Sequence, residues 1–165
     1  MLDLIKTRRS VRKFTGAPVS DDDLEKILEA GRWAPSGLNN QPWRFAVVRD
    51  AALKERISKL THYRKIVLAA DVLIPVFLDK EKSYHREKDC QGIGACLENM
   101  LLAIHALGLG AVWLGEIIKS DKEIRALLGL GDGLELMAVT AIGHPAETPK
   151  PTSRRELKEL IVFRK

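Results

Sequence analysis

At 165 residues, the chain is long enough to form one domain with a sizeable core. Apolar residues make up 45% and charged residues 30% of the sequence, which is typical of a globular protein and excludes a low-complexity or fibrous chain. The formal net charge of +5 permits nucleic-acid binding, but a small anionic ligand explains the same excess.

The chain begins with a predicted short amphipathic helix carrying Leu2, Leu4 and Ile5, which leads into the basic segment Arg8–Phe14. Arg8, Arg9, Arg12 and Lys13 are cationic, and Ser10 adds a hydroxyl. Planar guanidinium groups and a hydroxyl suit phosphate oxygens, and a buried guanidinium without a partner would be very costly. Taken alone, the segment is more simply a solvated basic loop or an arm that touches nucleic acid.

A helix is predicted from Ser20 to about Trp33. Ser20 can act as the N-cap, Asp21–Asp23 place acids in the first turn, and Leu24, Ile27 and Leu28 follow at helical spacing. The loop Ala34–Trp43 comes next, with two prolines, amide side chains and a tryptophan at either edge. We interpret Trp43 as a core residue and the loop as a candidate functional segment, since a plain connector does not need two aromatic anchors.

The middle of the chain alternates between predicted strands and helices. A strand is predicted at Arg44–Arg49, helices at Ala51–Leu60 and Tyr63–Ala70, and a buried strand at Val72–Leu78. The charged segment Glu81–Lys88 is predicted to be a solvated loop, with a lid as the less favoured alternative.

A long helix, Cys90–Leu107, is predicted to begin with Asp89 as its cap and to end before Gly108. Its apolar residues cover much of its circumference, which favours burial on more than one side and hence a dimer core. Strands Ala111–Leu114 and Leu134–Ile142 follow, separated by a helix that Ser120 caps and that ends at Leu128. The tail is rich in proline, and Arg155–Phe163 is either a short helix or an extended arm. Four to five strands alternating with helices predict one α+β domain spanning residues 1–165.

Several classes of function lack a signal. No apolar run reaches membrane-spanning length, because Val72–Leu78 contains Pro75, and no signal-peptide core precedes Arg8, so we expect a cytoplasmic protein without a membrane partner. Cys90 and Cys96 fall on different faces of one helix, and the histidines show no ligand spacing, so neither a disulfide nor a metal site is expected. No glycine-rich dinucleotide or P-loop motif is present.

Four segments in order resemble the nitroreductase family: Arg8–Phe14, Ala34–Trp43, Gly108–Gly115, and the tail from Gly143 to Arg155. The resemblance runs from about residue 3 to 160. It implies a three-layer sandwich with a central, mostly antiparallel sheet flanked by helices. It also implies a homodimer with FMN at the subunit interface.

The resemblance also implies roles for individual residues. Arg8 and Ser10, with neighbouring Arg9, would hold the FMN phosphate and ribityl chain, and Arg12 would approach the N1/O2 edge of the ring, where reduction places negative charge. Arg154 or Arg155 would complete the phosphate site, and Lys65 is the candidate for the pyrimidine edge. The remaining implied contacts are the segment Trp113, Leu114, Gly115 and Glu116, whose backbone would face flavin N5, and the loop positions Pro35, Ser36, Gly37 and Asn39 of the other subunit.

The expected function is therefore an oxidoreductase in which FMN takes hydride from NAD(P)H and a nitroaromatic, quinone or similar small acceptor receives the electrons by a ping-pong mechanism. No protein nucleophile is required. One alternative is a narrower reaction of the same fold, either reductive dehalogenation or dehydrogenation of a metabolite. A nucleic-acid-binding domain ranks low, because only Phe14 and Phe163 could stack on bases among the basic residues.

Overall fold

The computed structural model describes all residues, 1–165, and contains seven helices and four strands. The helices are α1 (Leu2–Thr7), α2 (Asp21–Arg32), α3 (Ala51–Ser58), α4 (Arg64–Ala69), α5 (Arg86–Ala106), α6 (Asp121–Leu127) and α7 (Leu157–Leu160). The strands are β1 (Trp43–Phe45), β2 (Val72–Asp79), β3 (Gly110–Leu114) and β4 (Leu134–Gly143), and short 3₁₀ turns lie at Gly37–Asn39 and Glu116–Ser120.

The four strands form one sheet in the order β1-β2-β4-β3, and every neighbouring pair is antiparallel. One face of the sheet packs against α2 and α5 through a core that includes Ile27, Ile93 and Met100. The opposite face packs against α3, α4 and α6 through a core that includes Ile57, Phe77 and Ile124. These three layers confirm the predicted α+β sandwich.

Strand β1 is shorter than the predicted Arg44–Arg49. Regular pairing ends after Phe45, where the Ala46 N–H donates to the Pro75 carbonyl over 3.0 Å. Pro75 has no N–H with which to return a bond, so the ladder is interrupted there. Val48 pairs again with Leu73, which keeps the segment beside β2 without extending the strand. Trp43 is buried, as predicted.

One predicted helix start is wrong, and one predicted side-chain cap does not form. Helix α5 begins at Arg86, and Asp89 lies inside it as a buried residue instead of capping a helix at Cys90. Helix α6 begins after Ser120, as predicted, but the Ser120 hydroxyl donates to the Leu60 carbonyl over 3.0 Å and makes no capping bond. The tertiary partner replaces the local backbone for Ser120, whereas Asp89 binds both the local N–H groups of Tyr84 and His85 and the distant Asn40. By contrast, the Ser20 hydroxyl accepts from the Asp23 N–H over 3.0 Å, which confirms the predicted cap of α2.

Both cysteines are free, and Cys96 is buried beneath α2. Burial raises the pKa of its thiol to about 12, so it remains protonated at neutral pH. None of the helices combines the length and the apolar character needed to cross a membrane.

Candidate functional site

The basic segment after α1 is fixed along the open edge of β3. Ser10 forms a parallel bridge with Ala111, and the Val11 N–H donates to the Ala111 carbonyl over 2.9 Å. Val11 is buried against Gly110, where an added Cβ would lie 2.8 Å from the valine side chain. The apolar residue thus anchors the segment, while Ser10 and Arg12, its neighbours in the chain, remain at the surface. The lack of a side chain at Gly110 is what permits this close approach.

A polar cleft of about 210 Å³ opens beside this segment, and we call it the cationic cleft. Five of its eight lining residues are cations, and none is a carboxylate or an aliphatic residue; they are Arg8, Arg9, Ser10, Arg12, Pro149, Lys150, Thr152 and Arg154. The hydroxyl of Ser10 has no hydrogen-bond partner in the protein. Guanidinium groups and hydroxyls without opposing carboxylates are the donors that a phosphate group requires.

The three arginines of the segment differ in how many of their donors are already used. Arg9 Nη1 donates to the carbonyls of Lys6 and Arg8, each over 2.7 Å, so this side chain braces the backbone. Arg8 is partly buried, and its Nε lies 3.6 Å from Glu98 on α5. The Arg12 guanidinium makes one hydrogen bond, to the Ser10 carbonyl over 3.3 Å, while its backbone N–H donates to Glu147 over 3.0 Å. Arg8 and Arg12 therefore keep donors free for a ligand.

Ser10 is bridged to Ala111 in β3, whereas the residues after Val11 turn towards the segment that follows β4, where Arg12 N–H donates to Glu147 and Phe14 bridges Pro145. Trp113 is 41% exposed, and the amide N–H of Gly115 has no acceptor in the protein. The carboxylate of Glu116 is occupied, since it pairs with Lys119 and accepts a 2.7 Å hydrogen bond from Thr61. The pairing with Lys119, followed by the bond from Thr61, lowers the pKa of Glu116 to about 2. Glu116 is thus ionised at neutral pH and is a poor proton donor.

The loop 35–41 has an unusual backbone. Leu38, Asn39 and Gln41 all have positive φ, at 54°, 54° and 45°, a region that residues other than glycine rarely adopt. Leu38 is also 85% exposed despite its apolar side chain. Strained residues persist where neighbouring contacts hold them, and such residues concentrate at functional sites.

A single buried carboxylate holds this loop, and we call the arrangement the Asp89 latch. Asp89 Oδ1 accepts from Asn40 Nδ2 over 2.7 Å. Its Oδ2 accepts from the Ser83 hydroxyl over 2.7 Å and from the N–H groups of Tyr84 and His85, each over 3.1 Å. Burial alone would raise the pKa of Asp89, but these bonds outweigh it and the pKa is lowered. The latch therefore joins loop 35–41 to the start of α5. The segment 81–88 is exposed apart from the half-buried Ser83, as predicted, but residues 83–85 are fixed by the latch and residues 86–88 belong to α5.

The comparisons with known proteins agree on one family. The family model described as the nitroreductase family matches residues 5–71 and 59–144. An Archaeoglobus fulgidus protein named as an NADH dehydrogenase/NAD(P)H nitroreductase is 38% identical over 149 residues, which are 88% of this chain and 86% of that one. A crystal structure described as a nitroreductase in complex with FMN, from Desulfovibrio desulfuricans, is 49% identical with a TM-score of 0.95, and the match covers 99% of this chain and 96% of that chain.

The chain belongs to the nitroreductase family. An iodotyrosine deiodinase from Thermotoga neapolitana is also similar, with 31% identity over 188 residues that cover 98% of this chain and 96% of that protein. The family predicted from the four segments is therefore confirmed, and with it the nitroreductase fold.

In this nitroreductase-family chain, the predicted site residues fall into three places. Arg8, Arg9, Ser10, Arg12 and Arg154 line the cationic cleft, whereas Arg155 is exposed and does not line it. Trp113, Leu114, Gly115 and Glu116 form the end of β3 and the turn that follows. Pro35, Ser36 and Gly37 line a separate cavity, and Asn39 is exposed in the same loop. The predicted residue Lys65 is exposed on α4.

Four residues beside these places were not predicted as site residues. Lys150 and Thr152 line the cationic cleft, and only their position in the proline-rich tail near Arg154 could have suggested them. Tyr84 and Asp89 hold or border loop 35–41. The sequence does single out Asp89, as an acid before a long apolar helix, but it predicts a helix cap at Cys90 and not the bonds to Asn40 and Ser83.

Proposed function

We propose that this protein is an FMN-dependent oxidoreductase that oxidises NAD(P)H and reduces a small acceptor. The observation that carries the proposal is the cationic cleft, in which five cations and a free hydroxyl face one space without a carboxylate. The crystal structure that is 49% identical to this chain was solved in complex with FMN. A phosphate-bearing cofactor fits the donor set of the cleft, so the residues and the family resemblance support the same ligand.

The residues divide the work of holding FMN. Arg8, Ser10 and Arg154 would bind its phosphate and ribityl chain, because their donors converge on the cationic cleft. Arg12 lines the same cleft, and the family resemblance assigns it to the pyrimidine edge, where its charge would stabilise negative charge. The free N–H of Gly115 would donate to flavin N5. Bound FMN supplies the redox chemistry, accepting hydride from NAD(P)H and passing electrons to an acceptor.

With a nitroaromatic acceptor, the balanced reaction is NAD(P)H + H⁺ + Ar–NO₂ → NAD(P)⁺ + Ar–NO + H₂O. The chain's own contribution is to bind, orient and exclude water. Glu116 is ionised and engaged with Lys119, so it does not deliver the proton, which must come from solvent or the acceptor. A shared site for donor and acceptor gives a ping-pong mechanism. Parallel lines in double-reciprocal plots of initial rates would support it, whereas intersecting lines would contradict it.

We also infer a homodimer whose site takes residues from both subunits. The family resemblance assigns this loop to the flavin of the other subunit, and in one chain Pro35, Ser36 and Gly37 line a different cavity from the cationic cleft, which supports a loop supplied by a second copy. All of residues 151–165 are exposed, including Leu157, Leu160 and Phe163. Exposed apolar side chains in one stretch indicate a surface that a partner covers.

The dimer is tested by the mass of the purified protein in solution, which should be twice the 18.4 kDa of one chain. Phe163→Asp should weaken the dimer, because Phe163 is 77% exposed in the single chain. Val47 is another exposed apolar residue, and it lies between β1 and the Val48–Leu73 bridge. Val47→Asp is therefore the matched control, and this variant should remain dimeric. A wild-type protein that is monomeric at micromolar concentration would contradict the shared site.

The cofactor is tested by the visible spectrum of the purified protein and by titration of the apoprotein with FMN. Arg8→Ala should weaken FMN binding about 10- to 100-fold, because a hydrogen bond to a charged group contributes about 1.5–3 kcal/mol. Arg155→Ala, the adjacent arginine outside the cleft, is the control and should change affinity less than threefold, roughly the limit of a surface charge. Arg12→Ala should chiefly change the rate of flavin reduction by NADH or NADPH. A protein that stays colourless after FMN addition would refute the proposal.

Reductive dehalogenation is the second candidate, favoured by the 31% identity to an iodotyrosine deiodinase along 98% of this chain. Its balanced form is NAD(P)H + Ar–I → NAD(P)⁺ + Ar–H + I⁻. Anaerobic assays that measure iodide release from iodophenols, alongside nitroaromatic reduction, separate the two reactions. Dehydrogenation of a metabolite, the other narrow reaction, would show neither and would require a different panel of substrates.

A further inference from the structure

A cavity of about 420 Å³ lies between loop 35–41 and the first turns of α5, and we call it the Tyr84 cavity. Its residues are Pro35, Ser36, Gly37, Tyr84, Lys88, Gln91, Gly92 and Ala95. The volume lies within the range of small-molecule sites. Its floor consists of small residues, since Gly92 packs against the Pro35 carbonyl, where a Cβ would stand at 3.4 Å. Apart from Tyr84, Lys88 and Gln91, the lining residues are small and leave this volume open to a flat molecule.

The ring of Tyr84 is held in one place at the rim of this cavity. A Cβ added to Gly37 would lie 1.8 Å from the Tyr84 hydroxyl oxygen, so the two residues are in direct contact and only glycine admits the ring. The backbone of Tyr84 is fixed by its N–H bond to Asp89 in the Asp89 latch. The ring is 41% exposed, so part of it remains available to a ligand. Tyr84 is thus packed against the loop, and it would border a ligand that the loop covers.

Lys88 supplies a positive charge at the same rim. Its Nζ lies 5.5 Å from the centroid of the Tyr84 ring, within the range of a cation–π contact. Lys88 forms no ion pair or hydrogen bond, whereas its neighbour Arg86 is paired with Glu135. The ammonium is therefore positioned by an aromatic ring but is not neutralised by a carboxylate. Its three donors are free for an anionic group.

We propose that Tyr84 and Lys88 form an acceptor subsite selective for flat aromatic molecules that carry a negative charge, such as an aromatic carboxylate. The Tyr84 ring and the small residues that line the cavity contact the aromatic part, and Lys88 pairs with the anion. The inference rests on the proposed function, because it makes loop 35–41 the cover of the FMN site. It adds the substrate class, which the family assignment does not give.

The test measures ligand binding to the FMN-loaded protein without turnover. Benzoate and benzamide have nearly the same shape but differ by one charge, and each is titrated while the visible flavin spectrum or the heat of binding is followed. Benzoate should bind the wild-type protein about fivefold more tightly than benzamide, the ratio expected of one partly exposed ion pair worth about 1 kcal/mol. Raising the salt concentration should reduce this preference.

Two variants and one control locate the effect. Lys88→Gln should remove the preference for benzoate and leave benzamide within about twofold of wild type. Tyr84→Leu should weaken both ligands by roughly threefold through loss of aromatic contact. Lys122→Gln removes the same charge as Lys88→Gln, but from α6 on the opposite face of the sheet. This control should still bind benzoate more tightly than benzamide.

The outcomes separate the inference from the proposed function. A protein that fails to bind FMN overturns the proposed function and this inference with it. A flavin-loaded protein that binds benzoate and benzamide equally, or one in which Lys88→Gln and Lys122→Gln behave alike, overturns the inference alone. If Lys88→Gln weakens both ligands equally, Lys88 acts on the shape of the cavity and not through its charge, and the selectivity proposed here is wrong.

Discussion

The Asp89 latch makes a quantitative prediction about stability. Asp89→Asn keeps the size of the side chain but removes its charge from a site where four donors converge, from Asn40, Ser83, Tyr84 and His85. The remaining amide oxygen can still accept from the three donors that now face Oδ2. Each of these bonds falls from a charge-assisted to a neutral hydrogen bond, which lowers its contribution by about 1 kcal/mol.

The fourth donor determines whether the cost grows. In Asp89→Asn, the new NH₂ group of residue 89 faces Asn40 Nδ2, so two donors meet. The Asn40 amide can rotate to present its oxygen instead, which has no partner in the wild type. That rotation sacrifices the 3.0 Å bond from Asn40 Nδ2 to the Lys82 carbonyl. The total loss is therefore about 3–4 kcal/mol, close to the values for a broken buried charge network. At roughly 2–4 °C per kcal/mol, the melting temperature should fall by about 6–15 °C.

Urea or guanidinium unfolding, followed by circular dichroism, measures this loss, and Asp22→Asn is the matched control. Asp22 carries a similar charge on α2, where it is exposed and pairs with Lys26 over 2.5 Å, so its loss should cost less than about 1 kcal/mol. Hydrogen exchange of residues 36–41 should accelerate in Asp89→Asn and not in Asp22→Asn. If Asp89→Asn costs no more than the control, the latch does not stabilise the loop as argued.

The dependence of this effect on pH has a definite sign. The pKa of Asp89 is lower in the folded protein than the value near 3.9 of an unfolded aspartate. Its stabilisation is therefore fully present above about pH 4 and is lost as the pH falls through the folded pKa. The difference in unfolding free energy between wild type and Asp89→Asn should shrink below that pH. A difference that stays constant or grows on acidification would contradict the assignment.

Two further changes are predicted from the packing and the charges. Gly31→Ala should lower the unfolding free energy by about 1–3 kcal/mol. Its Cβ would lie 2.8 Å from Met100 Cγ and 3.1 Å from Cys96 Sγ, where α2 crosses α5. An unchanged or higher unfolding free energy in chemical denaturation would show that these side chains move aside without cost. Glu116→Gln should leave the pH dependence of turnover between about pH 5 and 9 unchanged, because Glu116 is already ionised there. Loss of an activity limb in that range would instead identify Glu116 as a proton donor.

Much of this protein is determined by local sequence. The Ser20 cap, the glycine after α5 and the apolar runs of β2 and β4 predict their elements because caps, left-handed turns and buried strands depend on residues close in the chain. The basic segment Arg8–Phe14 and the loop Ala34–Trp43 also carry family motifs, and their order along the chain indicates the family. These patterns do not show which segments lie next to each other in the folded protein.

Only the tertiary structure decided how the polar side chains are used. Ser120 and Asp89 both look like helix caps in the sequence, yet one donates to Leu60 and the other latches a loop more than 40 residues away. Arg154 and Arg155 are equivalent in the sequence, and only the path of the tail places Arg154 in the cationic cleft. The reason is physical: a polar group satisfies its hydrogen bonds with whichever partner the fold brings within about 3 Å, and distant segments meet there as readily as neighbouring ones.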